Sequence, residues 1–209
     1  MGRALIGYCP LTAQPTLRKD MLHVARSDLP EHVVVVWASP VCTQYSIAQT
    51  KAKEPINLVH TNSLASKARQ IISGYPGVPF FIENPQGLLK HRAAIQGMPR
   101  FTVDDCHHKD ERWPLLYSKP TNLWSNCSFR PRHLCDPQTC TSNGNHMAMA
   151  QKSLYTRADG TRMRNRTTHV LYTIPPGLVQ AVYKCVQASP LQATPSQNDT
   201  IASENQGPS

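Results

Sequence analysis

The sequence predicts an α/β fold, because two strand-like runs flank one helical pattern. His32–Ala38 and Val78–Glu83 are apolar runs without polar alternation, as expected of strands covered on both faces. The helical pattern between them starts near Pro55 and ends at Gly74. Its apolar positions are Ile56, Val59, Leu64, Ala68, Ile71 and Ile72. Strand, helix and strand in this order form a βαβ unit with two parallel strands.

Shorter elements are expected after this unit. Phe101–Val103 and Asn122–Trp124 are further strand candidates, and Pro176–Val186 predicts a closing helix. The apolar residues on one side of that helix are Leu178, Val182 and Val186. We expect one domain over residues 1–188, in which 127–170 is an irregular segment with cysteines and basic residues.

Composition limits the possible function classes. Lys and Arg number 22 against 13 Asp and Glu, a formal charge of +9 that favours a polyanionic partner, either nucleic acid or a membrane surface. The hydrophobic share of 40% excludes global disorder, although residues 189–209, rich in Ser, Gln, Asn, Pro and Thr, predict a disordered tail. No apolar run approaches the roughly 20 residues of a membrane-spanning helix. Seven cysteines without a secretory signal predict a reducing intracellular compartment (nucleus, cytoplasm or viral host cell) and no secretion.

Polar sequences follow both predicted strands of the βαβ unit. The first strand leads into Ser39–Ser46, which contains Cys42, and the second ends in Glu83 and Asn84. Because parallel strands open their carboxyl ends onto one crevice, we expect Cys42 and Glu83 to reach the same bound molecule. A thiol and a carboxyl on one substrate favour covalent addition. The alternative is a cysteine buried as a small apolar residue and a solvated glutamate.

Four motifs occur in a consistent order between about Asp20 and Val186. They are Ser39–Ser46 (SPVCTQYS), Ile82–Lys90 (IENPQGLLK), Gln96–Pro99 followed by Val103–Cys106, and Tyr117–Asn126. Together they resemble the DNA (cytosine-5) methyltransferase family, in particular a viral and phage-like branch of it.

The resemblance implies a reaction, a methyl donor and a partner. DNA would be the partner, S-adenosylmethionine the donor, and C5 of a cytosine flipped out of the duplex the acceptor. Cys42 would add to C6 of the base, while Glu83 would hold N3 and Asn84 would support the loop geometry. Lys119 is the nearest candidate for the basic residue near the base, where the family more often has Arg.

The resemblance also implies a Rossmann-like methyltransferase fold that is incomplete at its N-terminal side. Only 41 residues precede Cys42, which leaves room for about one βα step, and no glycine-rich donor loop occurs among them. Asp20 and Pro40 are the positions that the resemblance assigns to the donor. Val41 stands where the family has Pro. A catalytically inactive, shortened remnant is therefore an alternative to an active enzyme.

A second group of residues could hold zinc. Cys127, Cys135, Cys140 and His146 fall within 20 residues and could close a tetrahedral site, with His133 as a competing ligand. The alternative to zinc is a loop of cysteines that pack individually. A zinc-stabilised nucleic-acid-binding module without catalytic function is a further alternative to the methyltransferase. Nearby basic residues could contact phosphates or form a solvated face. They are Lys152, Arg157, Arg162, Arg164 and Arg166. The oligomeric state is left open.

Overall fold

The computed structural model describes residues 17, 19–46, 57–108, 117–129, 135, 148–149, 154–156, 162–164 and 174–189. The predicted tail from residue 190 onward, the predicted helix start at Pro55 and Ile56, and most of the irregular segment lie outside these ranges. No helix in the described ranges has the length and apolar character of a membrane-spanning segment.

A four-stranded mixed sheet forms the centre of the described structure. The elements in chain order are β1 (Val36–Ala38), α1 (Leu58–Ser73), β2 (Phe80–Pro85), β3 (Arg100–Asp104), β4 (Tyr117–Ser118), β5 (Pro120–Ser125), β6 (Ala148–Met149), β7 (Leu154–Thr156), β8 (Arg162–Arg164) and α2 (Pro176–Ala188). The central sheet has the order β1-β2-β5-β3. β4 pairs with β6, and β7 with β8, in two small separate ladders.

The predicted parallel pair is confirmed. β1 and β2 are adjacent and parallel, with Val36 opposite Phe80 and Ala38 opposite Ile82. β5 runs antiparallel to both of its neighbours, so that β1, β2 and β3 all point in the same direction. The α/β class is therefore confirmed with a mixed sheet, and the Rossmann-like methyltransferase arrangement stays a prediction.

The first strand is shorter and more exposed than predicted. We expected His32–Ala38 to be covered on both faces, whereas β1 comprises only Val36–Ala38 and all three residues are half-buried. The Val34 side chain is 66% exposed. Within the described residues β1 pairs with β2 on one side only, so it has an open edge. Both faces are nevertheless partly covered, because Val36 and Ala38 pack against one core and Trp37 against the other. Full coverage is the wrong part of the prediction, since a β-branched run does not report how many neighbours the strand has.

α1 ends at Gly74 as predicted, and it begins at Leu58, three residues after the predicted start near Pro55. The Asn57 side chain accepts a hydrogen bond from the His60 amide, and the Gly74 amide donates to carbonyls of the last turn. The buried stripe consists of Thr61, Leu64, Ala65, Ala68 and Ile72. Val59 lies about 200° around the helix from Thr61 and is 80% exposed, so its predicted place on the core face is wrong.

The two helices cover opposite faces of the sheet. Phe81 and Ile82 are successive strand residues and therefore point to opposite faces. The α1-side core contains Tyr45, Ala65, Ile72, Ile82, Leu89 and Trp124. The α2-side core contains Phe81, Val103, Leu123, Phe129, Leu178 and Val182, with Val186 packed against it. The predicted apolar side of the closing helix is confirmed.

Two truncations in α1 test the orientation of this helix. Leu64→Ala should lower the free energy of unfolding by about 2–5 kcal/mol, because it leaves a cavity in the core. Val59→Ala should change it by less than about 0.5 kcal/mol, because the side chain is exposed. Urea denaturation of both variants provides the comparison, and equal losses would contradict the burial of Leu64 and the exposure of Val59.

Candidate active site

The carboxyl ends of three strands meet at one edge of the central sheet. β1, β2 and β3 end at this edge, and the antiparallel β5 begins there. We call it the site edge. The polar residues at the site edge are Cys42, Glu83, Asn84, Asp104, Asp105 and Lys119. The predicted convergence of Cys42 and Glu83 therefore has a structural basis in the parallel pair.

A short turn anchors the loop that carries Cys42. The Cys42 carbonyl accepts a hydrogen bond from the Tyr45 amide at 2.9 Å, at the start of a 3-10 turn over Thr43–Tyr45. The Tyr45 ring is fully buried, and its hydroxyl donates to Asn62 Oδ1 on α1 at 3.0 Å. Cys42 itself is half-buried. The thiol is thus held near the sheet by the packing of Tyr45.

The loop after β1 is in direct contact with the end of β2 and with the turn that follows it. Asn84 Nδ2 donates to the Pro40 carbonyl oxygen at 2.9 Å, and both residues are buried. Gly87 approaches Tyr45 so closely that a Cβ atom at position 87 would lie 2.3 Å from the Tyr45 carbonyl oxygen. Asn84 and Gly87 together fix the Cys42 loop against the end of β2.

Glu83 faces the opposite side of the sheet from Asn84 and is 6% exposed. Burial raises the pKa of Glu83, although the Lys119 ammonium and a hydrogen bond with Ser39 oppose that rise. Ser39 in turn accepts a hydrogen bond from Trp37 Nε1 at 2.9 Å. The Glu83 carboxyl therefore keeps its proton to a higher pH than an exposed glutamate does.

Lys119 brings a positive charge into this cluster of carboxyl groups. Its backbone amide donates to Asp104 Oδ1 at 2.9 Å, and its Nζ lies 3.7 Å from Asp105 Oδ2. Burial raises the pKa of Asp105 to about 7; Lys119 opposes this, and the charges of Glu83 and Asp104 add to it. The ion pair is too long to offset the loss of hydration, so burial dominates.

Cys42 is subject to the same charges. Burial raises the pKa of the Cys42 thiol, the Glu83 carboxylate raises it further, and Lys119 lowers it. At neutral pH the free protein therefore holds Cys42 as a thiol. The Lys119 ammonium and a backbone hydrogen bond favour its conversion to the thiolate.

The two residues assigned to the methyl donor have structural contacts of their own. Asp20 Oδ1 accepts a hydrogen bond from the Leu22 amide at 2.9 Å and caps the 3-10 turn Met21–His23. The Pro40 carbonyl is used by Asn84. The predicted donor-binding roles of Asp20 and Pro40 stay predictions.

Two of the four predicted zinc ligands, Cys127 and Cys135, lie within the described residues. Cys127 is buried in the α2-side core, where its Sγ lies 3.5 Å from the Ser189 hydroxyl. Cys135 lies instead with Cys106 and His107, and one ligand atom of each is within 4.8 Å of the others. Cys140, His146 and the competing His133 lie outside the described residues.

The predicted basic stretch is described only in part. Arg162 and Arg164 belong to β8, which pairs with β7. Lys152, Arg157 and Arg166 lie outside the described residues. A phosphate-contacting role for this stretch stays a prediction.

Two acidic residues at the site edge had no role in the sequence interpretation. Asp104 and Asp105 belong to the third motif, and they hold Lys119 by its amide and its ammonium. Thr121 Oγ1 also contacts Asp105 Oδ1 at 3.5 Å. The sequence contains a pattern that could have identified them. Two adjacent acidic residues come at the end of a predicted strand, as Glu83 does at the end of its strand.

Comparison with known proteins identifies a viral relative. The chain is 27% identical over 165 residues to the "Probable DNA (cytosine-5)-methyltransferase" of Frog virus 3 (isolate Goorha), and the match covers 72% of this chain and 74% of that protein. No family model matches the chain, and no solved structure matches it. The similarity agrees with the family resemblance drawn from the four motifs.

The site electrostatics predict opposite effects of two substitutions on Cys42. Glu83→Gln should lower the pKa of Cys42, because it removes a nearby negative charge. Lys119→Met should raise it, because it removes the positive charge. We expect shifts of about one pKa unit in each case. The pKa is obtained from the pH dependence of iodoacetamide labelling of the Cys42 peptide, followed by mass spectrometry.

Cys185 provides an internal control in the same digests. Burial and the neighbouring Cys127 raise the pKa of Cys185, and these causes do not involve the site edge. Its labelling profile should be unchanged in both variants. If the pKa of Cys42 moved in the same direction in the two variants, Glu83 and Lys119 could not be acting on the thiol with opposite charges.

Proposed function

We propose that the protein is a DNA (cytosine-5) methyltransferase that acts through a covalent adduct between Cys42 and the target base. The observation that carries the proposal is the placement of Cys42, Glu83 and Lys119 within electrostatic reach of one another at the site edge. The similarity to the Frog virus 3 protein supports a methyltransferase function at the family level.

Cys42 is the proposed nucleophile. Its thiolate Sγ forms a bond to C6 of cytosine, and the electron pair of the C5–C6 double bond moves into the ring towards N3. C5 then becomes nucleophilic enough to accept the sulfonium methyl group of S-adenosylmethionine, which leaves as S-adenosylhomocysteine. Loss of the C5 proton to a base and cleavage of the Sγ–C6 bond restore the double bond and the thiolate, and any proton gained by N3 returns to Glu83.

Glu83 stabilises the base as this charge develops. Burial raises the pKa of Glu83, so its carboxyl holds a proton that it can donate to N3. A neutral Glu83 also removes the negative charge that opposes the Cys42 thiolate. The protonated acid and the ionised thiol therefore favour each other, and Lys119 offsets the remaining negative charge.

The other assigned residues contribute to position and binding. Asn84 holds the nucleophile loop through the Pro40 carbonyl. We assign Asp20 to the methyl donor because a carboxylate suits the hydroxyl and amino groups of adenosine. DNA is the proposed partner, consistent with the formal charge of +9, and its target nucleotide leaves the duplex to reach Cys42.

Mechanism-based trapping tests the nucleophile directly. Duplex DNA with 5-fluorocytosine at every cytosine should form a denaturant-stable adduct when S-adenosylmethionine is present, because the fluorine prevents the final elimination. Cys42→Ser should abolish the adduct, and Cys185→Ser should retain it. Gel electrophoresis and peptide mapping provide the measurement.

The same experiment separates the active enzyme from an inactive remnant. An adduct that persists in Cys42→Ser, or maps to another cysteine, would overturn the assignment. Intact DNA binding without any adduct in the unchanged protein would identify a remnant that retains the base-binding residues and lacks activity.

Glu83→Gln tests the proton donor. We expect a fall in kcat of about 100-fold or more, because the amide cannot transfer a proton to N3. DNA affinity should stay nearly constant, since the change affects the reacting base alone. Glu31→Gln, at an exposed position, is the matched control and should retain the full rate. A Glu83→Gln variant with unchanged kcat would count against the role of Glu83.

A further inference from the structure

Three metal-binding side chains converge beyond the end of β3. Cys106 and His107 belong to the 3-10 turn Asp105–His108, and Cys135 comes from a distant part of the chain. One ligand atom from each lies within 4.8 Å of the other two. The proposed methyltransferase reaction uses none of these residues.

The donor set indicates the kind of metal. Two thiolates and an imidazole are soft or borderline ligands, which suit zinc rather than magnesium or calcium. Zn–S bonds of about 2.3 Å and Zn–N bonds of about 2.0–2.1 Å place tetrahedral ligand atoms roughly 3.5–3.8 Å apart. Because the three ligand atoms lie within 4.8 Å of one another, movements of about 1 Å are enough to reach these values.

Burial favours a structural site over an accidental surface cluster. Cys106 is 1% exposed, and His107 and Cys135 are half-buried. An ion bound by these three side chains would therefore be partly shielded from bulk water. Three protein ligands leave a fourth tetrahedral position for water or a further donor.

We propose that Cys106, His107 and Cys135 bind one zinc ion that links Cys135 to the turn after β3. This set differs from the four ligands predicted from spacing, and it shares only Cys135 with them. Zinc would contribute to folding, because the ion joins two parts of the chain that are far apart in sequence.

The location connects the proposed zinc site to neighbouring elements. The turn that carries Cys106 and His107 also packs against the start of α2. A Cβ atom at Gly177 would lie 2.4 Å from the His108 carbonyl oxygen, so the helix and the turn are in backbone contact. Zinc would thus stabilise the contacts that the turn after β3 makes with α2 and with Cys135.

Metal analysis of the full-length protein tests the proposal. Protein purified under reducing conditions should contain about one zinc ion per chain by inductively coupled plasma mass spectrometry. Replacement by Co²⁺ should give thiolate-to-cobalt charge-transfer absorption and the intense visible bands of a tetrahedral site. Neither readout depends on methyltransferase activity.

Matched variants identify the ligands. Cys135→Ser and His107→Gln should each lose most of the bound zinc and the charge-transfer absorption, with circular dichroism reporting the fold. Cys185→Ser and Cys127→Ser should retain both. Zinc retained in Cys135→Ser and His107→Gln would overturn the proposal. So would loss in Cys127→Ser with retention in Cys135→Ser, or a Cys106–Cys135 disulfide in place of the metal.

Discussion

The buried ammonium of Lys119 opposes the effect of burial on the ionisable groups around it at the site edge. Glu83 and Asp105 are largely removed from water, and burial raises the pKa of both carboxyl groups. One cation cannot offset every negative charge that Cys42, Glu83 and Asp105 would carry if all were ionised. Some of these groups must therefore retain protons near neutrality. A site with this constraint is suited to a reaction in which one group accepts negative charge while another gives up a proton.

Side chains alternate between the two faces of the sheet along β2, so two adjacent residues of this strand have different roles. Asn84 points to the α1 side and holds the Cys42 loop through the Pro40 carbonyl. Glu83 points to the α2 side and joins Lys119 and Asp105. A shift of one residue in the register of β2 would move Glu83 to the α1 side and Asn84 to the α2 side, away from their partners. The four-residue buried stretch at the centre of β2 strongly disfavours such a shift, since Phe81 and Ile82 would change cores as well.

Hydrophobic pattern was sufficient to predict the βαβ unit, the second helix and the parallel pairing of β1 with β2. These features depend on local periodicity and on chain connection, which the sequence displays directly. The exposure of β1 and of Val59 depends on neighbours that no local pattern reports. In the same way, Cys42 and Glu83 could be predicted to converge, because Cys42 follows one strand of the unit and Glu83 ends the other. The grouping of Cys135 with Cys106 depends on a long-range contact that spacing alone does not encode.

The direction of β5 explains why Lys119 was the hardest site residue to place. Lys119 precedes its strand, whereas Cys42 and Asp105 follow theirs and Glu83 lies near the end of its own. In an all-parallel sheet a residue before a strand would lie at the opposite edge from residues that follow strands. β5 is antiparallel to β2 and β3, so its beginning coincides with their ends. The mixed sheet is therefore what brings a cation to the carboxyl groups, and a reversed β5 would leave Glu83 and Asp105 buried without it.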